Sequence, residues 1–168
     1  MYRAFALLFV AAIVVACGRA PEGGAAASAT PAATPTAVPS GSFLTLAQAA
    51  VAYSKVAGPY NDAIDAAQER YGVRTTLEDH QHYWARIAKA DAAFIAGLKK
   101  IAFPPELQAD VAVLIKAEEL FHQHALATSH SRNAGEVLSL SAVANAAAEA
   151  ATAKAAKVRE ALGLGPSV

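Results

Sequence analysis

Five histidines, His80, His82, His122, His124 and His130, fall in two short stretches of the chain. Carboxylates crowd both: Glu78 and Asp79 in the first, Glu118 and Glu119 in the second. Imidazole and carboxylate together are the donors that hold Zn²⁺, Cu²⁺ or Fe²⁺, and donors three or four residues apart share one face of a helix. A metal centre built here would take His80 or His82 from one helix and His122 or His124 from the next, completed by Glu118 or Glu119. The spacing of two inside each His-x-His pair works against it. That spacing turns the rings about 200° apart, so at most one of each pair faces inward. Histidines near a helix C-terminus also interact favourably with its dipole without any ligand. Structural or solvated histidines are therefore the first expectation, with no cofactor, and a Zn, Cu or Fe site is the alternative.

Within the second stretch, Glu119-Leu120-Phe121-His122 resembles the Glu-x-x-His element of ferritin-like di-iron carboxylate bundles, and Asp79-His80-Gln81-His82 is a weaker Asp-x-x-His version of it. Members of that class bind two metals mid-bundle through two such motifs and two further glutamates. Here one motif has Asp for Glu, and the pair falls at a bundle end, so the likeness extends to a few residues and does not imply an oxidase. No nucleophile elbow, phosphate-binding loop, HExxH or repeated CxxC is found in the sequence, so the expectation is a protein that is not an enzyme.

The other chemically distinctive residue is Cys17, the single cysteine. Arg3 supplies a positive start, and Ala4 to Ala16 form an apolar run too short to span a bilayer and suited to a signal peptide. Its ending, Val14-Val15-Ala16-Cys17, resembles the lipobox of bacterial lipoproteins. The resemblance implies removal of residues 1–16, diacylglycerol (with palmitate-type acyl chains) on the Cys17 thiol, and a protein held to the cell membrane with its domain on the extracytoplasmic side. Two or three acyl chains anchor stably, because each buried CH₂ contributes about 0.8 kcal/mol while one chain alone is marginal. The lipid bilayer is then the first partner.

Residues 17–42 are nearly all Ala, Pro, Thr, Ser and Gly, with prolines at 21, 31, 35 and 39. Such a stretch buries too little surface to offset ordering entropy and reads as a disordered tether. As a coil of about 25 residues it spans roughly 28 Å, enough to hold a domain clear of lipid headgroups. Thr30, Thr34, Thr36 and Ser40 beside its prolines are acceptors for O-linked sugars under one reading and plain spacer under another.

These features must be positioned by residues 43–168. The 168-residue chain has fourteen basic and fourteen acidic side chains, so no net field selects nucleic acid as partner. An envelope protein or a small ligand is the expected class. Apolar residues repeat at alternating spacings of three and four along four segments. The first stripe is Leu46, Ala50, Tyr53, Ala57, Tyr60, Ile64, Ala67 and Tyr71. Gly58-Pro59 is expected to kink or break this helix. Its tyrosines could line a pocket, but large aromatics at helical spacing are more often core.

Thr75-Thr76-Leu77-Glu78 reads as a capping box for a second helix with the stripe Leu77, His80, Trp84, Ile87, Asp91, Phe94, Leu98 and Ile101. Asp91 on that stripe is expected to be a buried carboxylate paired with a lysine or tyrosine. Pro105 suits the start of a third helix carrying Leu107, Val111, Leu114, Glu118, Phe121 and Ala125. Asn133 and Glu136 cap a fourth, with Val137, Leu140, Ala144, Ala147, Ala151, Ala155, Val158 and Leu162, and Gly163-Leu164 ends it. The alanines of this helix predict close approach of its neighbours. Four helices with short connections predict an all-α, up-down-up-down four-helix bundle.

Overall fold

The computed structural model describes residues 42–165. The signal segment, Cys17 and most of the tether lie outside them.

Four helices form: α1 (Leu46–Tyr71), α2 (Leu77–Leu98), α3 (Gln108–Ser129) and α4 (Ala134–Ala161). Local chemistry sets each boundary. Thr45 opens α1 with a reciprocal box, its hydroxyl accepting from the Gln48 amide while Gln48 Oε1 accepts from the Thr45 amide at 2.9 Å. At α2 the box sits one residue later than the sequence pattern suggested. Thr76, not Thr75, is the cap, because Asp79 Oδ2 reaches back to the Thr76 amide and hydroxyl (3.3 and 2.8 Å), while Glu78 turns to His82. Pro105 starts a 3₁₀ turn, Pro105–Leu107, that leads into α3. Asn133 accepts from the Glu136 amide to begin α4. A Schellman stop closes it, with Leu164 N–H donating to Arg159 O, Gly163 N–H donating to Glu160 O, and Gly163 at φ 70°.

The break expected at Gly58-Pro59 does not occur, and α1 runs through Pro59. Pro59 and Lys55, whose carbonyl loses its helical partner, are both exposed. Water can therefore take over the acceptor.

Helices pack in sequence order, α1 on α2, α2 on α3 and α3 on α4, giving the up-down-up-down bundle. The seam between α1 and α4 is the loosest of the four. α4 packs most closely on α3, whereas toward α1 its Ala148, Ala151 and Ala155 border open space.

Two apolar clusters fill the interior. One surrounds Tyr53, Phe94, Leu98, Leu114 and Val158, and the other Trp84, Ile87, Phe121, Ala125 and Ala144. Between them along α2 and α3 stand Asp91 and Glu118, which are 0 % and 3 % exposed. At the α2 end, a Cβ on Gly97 would collide with Val56 of α1, so glycine here allows the two helices to meet.

Replacing Gly97 by Ala sets a gain in helix propensity of up to about 1 kcal/mol against an overpacking cost of about 1–3 kcal/mol. The expected net result is a lower urea midpoint. Adding Val56→Ala to Gly97→Ala should raise the midpoint above that of the Gly97→Ala chain; a Gly97→Ala protein as stable as the wild type would show that the contact yields freely.

Candidate functional site: a carboxyl pair under an aromatic cleft

Asp91 and Glu118 face each other from α2 and α3 at mid-bundle. Among the described residues no other group donates a hydrogen bond to Asp91 Oδ1, Asp91 Oδ2 or Glu118 Oε2. The donor available to the pair is its own proton, shared between the two carboxyls. The lysine or tyrosine expected beside Asp91 is not its partner; the second carboxyl takes that place because Glu118 falls on the inward stripe of α3 at the same level. Burial pushes the Asp91 carboxyl well above the usual range, and the neighbouring Glu118 charge and hydrogen bond push it further. Burial also raises Glu118, partly offset by the hydrogen bond from Asp91. Both carboxyls are raised, so the pair keeps a proton to higher pH than free carboxyls do. The flank of Asp91 is closed by His122, whose Nδ1 lies 3.8 Å from Asp91 Oδ2 and donates to Ala88 O at 3.0 Å.

Above Glu118 the loose α1–α4 seam opens into a cleft of about 430 Å³. This is within the range of small-molecule sites. Glu118 forms part of its floor, with Tyr53, Tyr60, Tyr83, Trp84 and Phe94 on the walls. The rings are fixed against one another: Tyr60 stacks on Phe94 at 4.7 Å, Tyr53 meets Phe94 edge-on at 6.2 Å, and Tyr83 meets Trp84 edge-on at 5.2 Å. Gln68 Nε2 donates to the Tyr83 hydroxyl at 2.9 Å. Burial lifts the Tyr53 hydroxyl to about 12, against a smaller opposing effect of Arg159. The Tyr60 hydroxyl is raised by burial and by the charges of Glu118 and Asp91. Both phenols therefore stay neutral. Asp65, Asn61, Asn145 and Thr152 give the cleft a polar rim, with Arg159 near the Tyr53 end.

The histidine-bearing ends of α2 and α3 do meet at one end of the bundle, yet their side chains are engaged separately. His82 Nε2 pairs with Glu78 at 3.2 Å, and its ring stacks on Tyr71. Glu119 is ion-paired with Lys99 at 2.6 Å, away from His122. His130 donates through Nδ1 to Leu126 O at 2.9 Å. His80 and His124 are half-buried, and His80 Nδ1 is enclosed without a partner. Asp79 serves the α2 cap. Both Glu/Asp-x-x-His stretches are thus drawn into other contacts, and no group of three or more His, Cys, Asp or Glu side chains among the described residues is placed to hold a metal ion.

Comparison with family models, curated proteins and solved structures gives no match. The chemistry of the cleft is the available guide to function.

Unfolded carboxyls ionise near pH 4, whereas the folded pair keeps its protons to higher pH. Between those limits the folded state binds more protons than the unfolded one, so the pair's contribution to stability falls as pH rises. Asp79 and Glu136 shift the opposite way, held low by Thr76 and Arg132 respectively, and their contribution is lost only as pH falls below the unfolded carboxyl range. Urea unfolding is expected to show stability declining from about pH 5 to about pH 8. Asp91→Asn, whose amide supplies a permanent donor to Glu118, should flatten that decline. An unchanged pH slope in this variant would contradict the shared proton.

Proposed function

We propose that this chain is a membrane-anchored bacterial envelope lipoprotein whose helical bundle is a non-enzymatic binding module, and that the α1–α4 cleft is where it binds. The observation that carries the binding part is Glu118: a buried carboxyl with an unpartnered oxygen, on the floor of a ring-walled cleft. Rigid aromatic walls with a few directed polar groups are the ordinary furnishing of a site that holds a small molecule. Anchoring is supported by Val14-Val15-Ala16-Cys17 after an apolar run and by the Pro/Ala/Thr-rich tether behind it. On this reading the tether keeps the cleft in the aqueous space beside the membrane, within reach of solutes or of another envelope protein.

The anchor is tested by expressing the full chain and its Cys17→Ala variant in a bacterium and fractionating the cells. The wild-type protein should incorporate labelled palmitate and require detergent for extraction. Cys17→Ala should carry no label and stay as unprocessed precursor or leave the membrane fraction. A Cys17→Ala protein that still matures to the same size and still needs detergent would overturn the lipoprotein reading.

A further inference from the structure

The ligand class of the cleft follows from what its floor lacks. Glu118 is 3 % exposed and borders the cleft, and the one proton of the pair can satisfy only one of its two oxygens. A buried acceptor in this state is costly, and a ligand that donates to it recovers the difference. With one proton between them the two carboxyls present one negative charge, which a cation neutralises. The rings of Tyr53, Tyr60, Tyr83 and Trp84 line the same cleft, one face of Tyr60 being covered by Phe94 and one of Tyr83 by the Arg74 guanidinium. The faces of aromatic rings attract cations, more strongly when both are desolvated. Asp65 adds a second carboxylate to the cleft lining. Arg159 is the opposing charge, but it donates to the carbonyls of Gly165 (3.1 Å) and Leu164 (3.3 Å) at the C-terminal end of α4.

We infer that the cleft binds a small organic amine, its ammonium group donating to Glu118 and its apolar body lying between the tyrosines of α1 and the alanines of α4. A primary or secondary ammonium fits better than a quaternary one, because the unpartnered oxygen calls for an N–H donor as well as a positive charge. The α4 wall gives the body room: Ala148, Ala151 and Ala155 face the cleft. The inference rests on the cleft being a binding site, as proposed above, and adds what occupies it.

The chain supplies its own reporter, since Trp84 is the only tryptophan and lines the cleft. Three probes of nearly the same shape separate the possibilities: 2-phenylethylamine, 2-phenylethanol and phenylacetate, titrated against the full chain in detergent at neutral pH and followed by Trp84 emission and calorimetry. The expected result is saturable binding of the amine at least tenfold tighter than of the alcohol, with no binding of the carboxylate. Glu118→Gln keeps the side-chain shape and removes the charge; it should weaken the amine at least tenfold and the uncharged alcohol much less. Ala148→Leu, which narrows the cleft without touching the carboxyl pair, should weaken amine and alcohol alike. Thermal unfolding of each variant establishes that it is folded. Equal binding of amine and alcohol, or preference for phenylacetate, would overturn the amine assignment while leaving the cleft a binding site. Tight amine binding undisturbed by both substitutions would place the site elsewhere and overturn the inference. Failure of all three probes to bind the folded chain would overturn both the amine assignment and the cleft's role.

Discussion

Two carboxyl groups buried face to face, with no lysine or arginine paired to either among the described residues, are the constraint on which the centre of this bundle turns. Ionising both would set two like charges together away from water, and leaving either acceptor empty carries the cost of a lost hydrogen bond. One retained proton relieves both problems, because the protonated acid donates to the charged one. The arrangement holds only while the apolar layers on either side exclude water. Those layers are the Phe94, Leu98 and Leu114 cluster toward one end and the Trp84, Ile87 and Phe121 cluster toward the other. The polar layer in turn interrupts what would otherwise be a continuous apolar core, at the level where the cleft reaches inward.

The cleft is a consequence of unequal side chains across one seam. On α1, Tyr53 and Tyr60 are large and stiffened by contact with Phe94. On α4, three of the facing positions are Ala148, Ala151 and Ala155, which are too small to fill the space toward α1. Large against small would close a seam if the backbones moved together. Here α1 is held on α2 by the close approach of Gly97 and Val56, and by Leu44 N–H donating to Ala102 O at 2.9 Å. α4 is held on α3, with Lys157 and Asp110 in contact at 2.7 Å. The gap is what remains.

Much of the fold is legible in the chain because its signals are local and periodic. The α3 stripe from Leu107 to Ala125 is buried at every position, Asn133 caps α4, and Gly163 ends it as its pattern implies. Local ambiguity accounts for the misplaced α2 box: Thr75 with Glu78 and Thr76 with Asp79 satisfy the same spacing, and only the shorter carboxylate folds back to its cap. Pro59 interrupts nothing because it lies on the solvent face of α1, a matter of which side of the helix meets water. The histidines drew attention by number, yet their partners are set by individual ring directions that spacing does not fix. Asp91 stood out as a polar residue on an apolar stripe, whereas Glu118, on the next stripe, stood out only as a candidate metal ligand. That they meet depends on the register between α2 and α3, a tertiary fact. Asn61, Gln68, Asn145 and Thr152 carried no sequence signal, since polar residues flanking a stripe are ordinary helix surface until a seam fails to close over them.

The proton shared by Asp91 and Glu118 is most directly observed by infrared difference spectroscopy of the carboxylic acid C=O stretch, comparing the wild-type protein with Asp91→Asn at neutral pH. A protonated-acid band in the wild type that shifts on exchange into D₂O and is lost in Asp91→Asn is the expected result. A wild-type spectrum with every carboxyl ionised at neutral pH, and no band to lose, would contradict the pair.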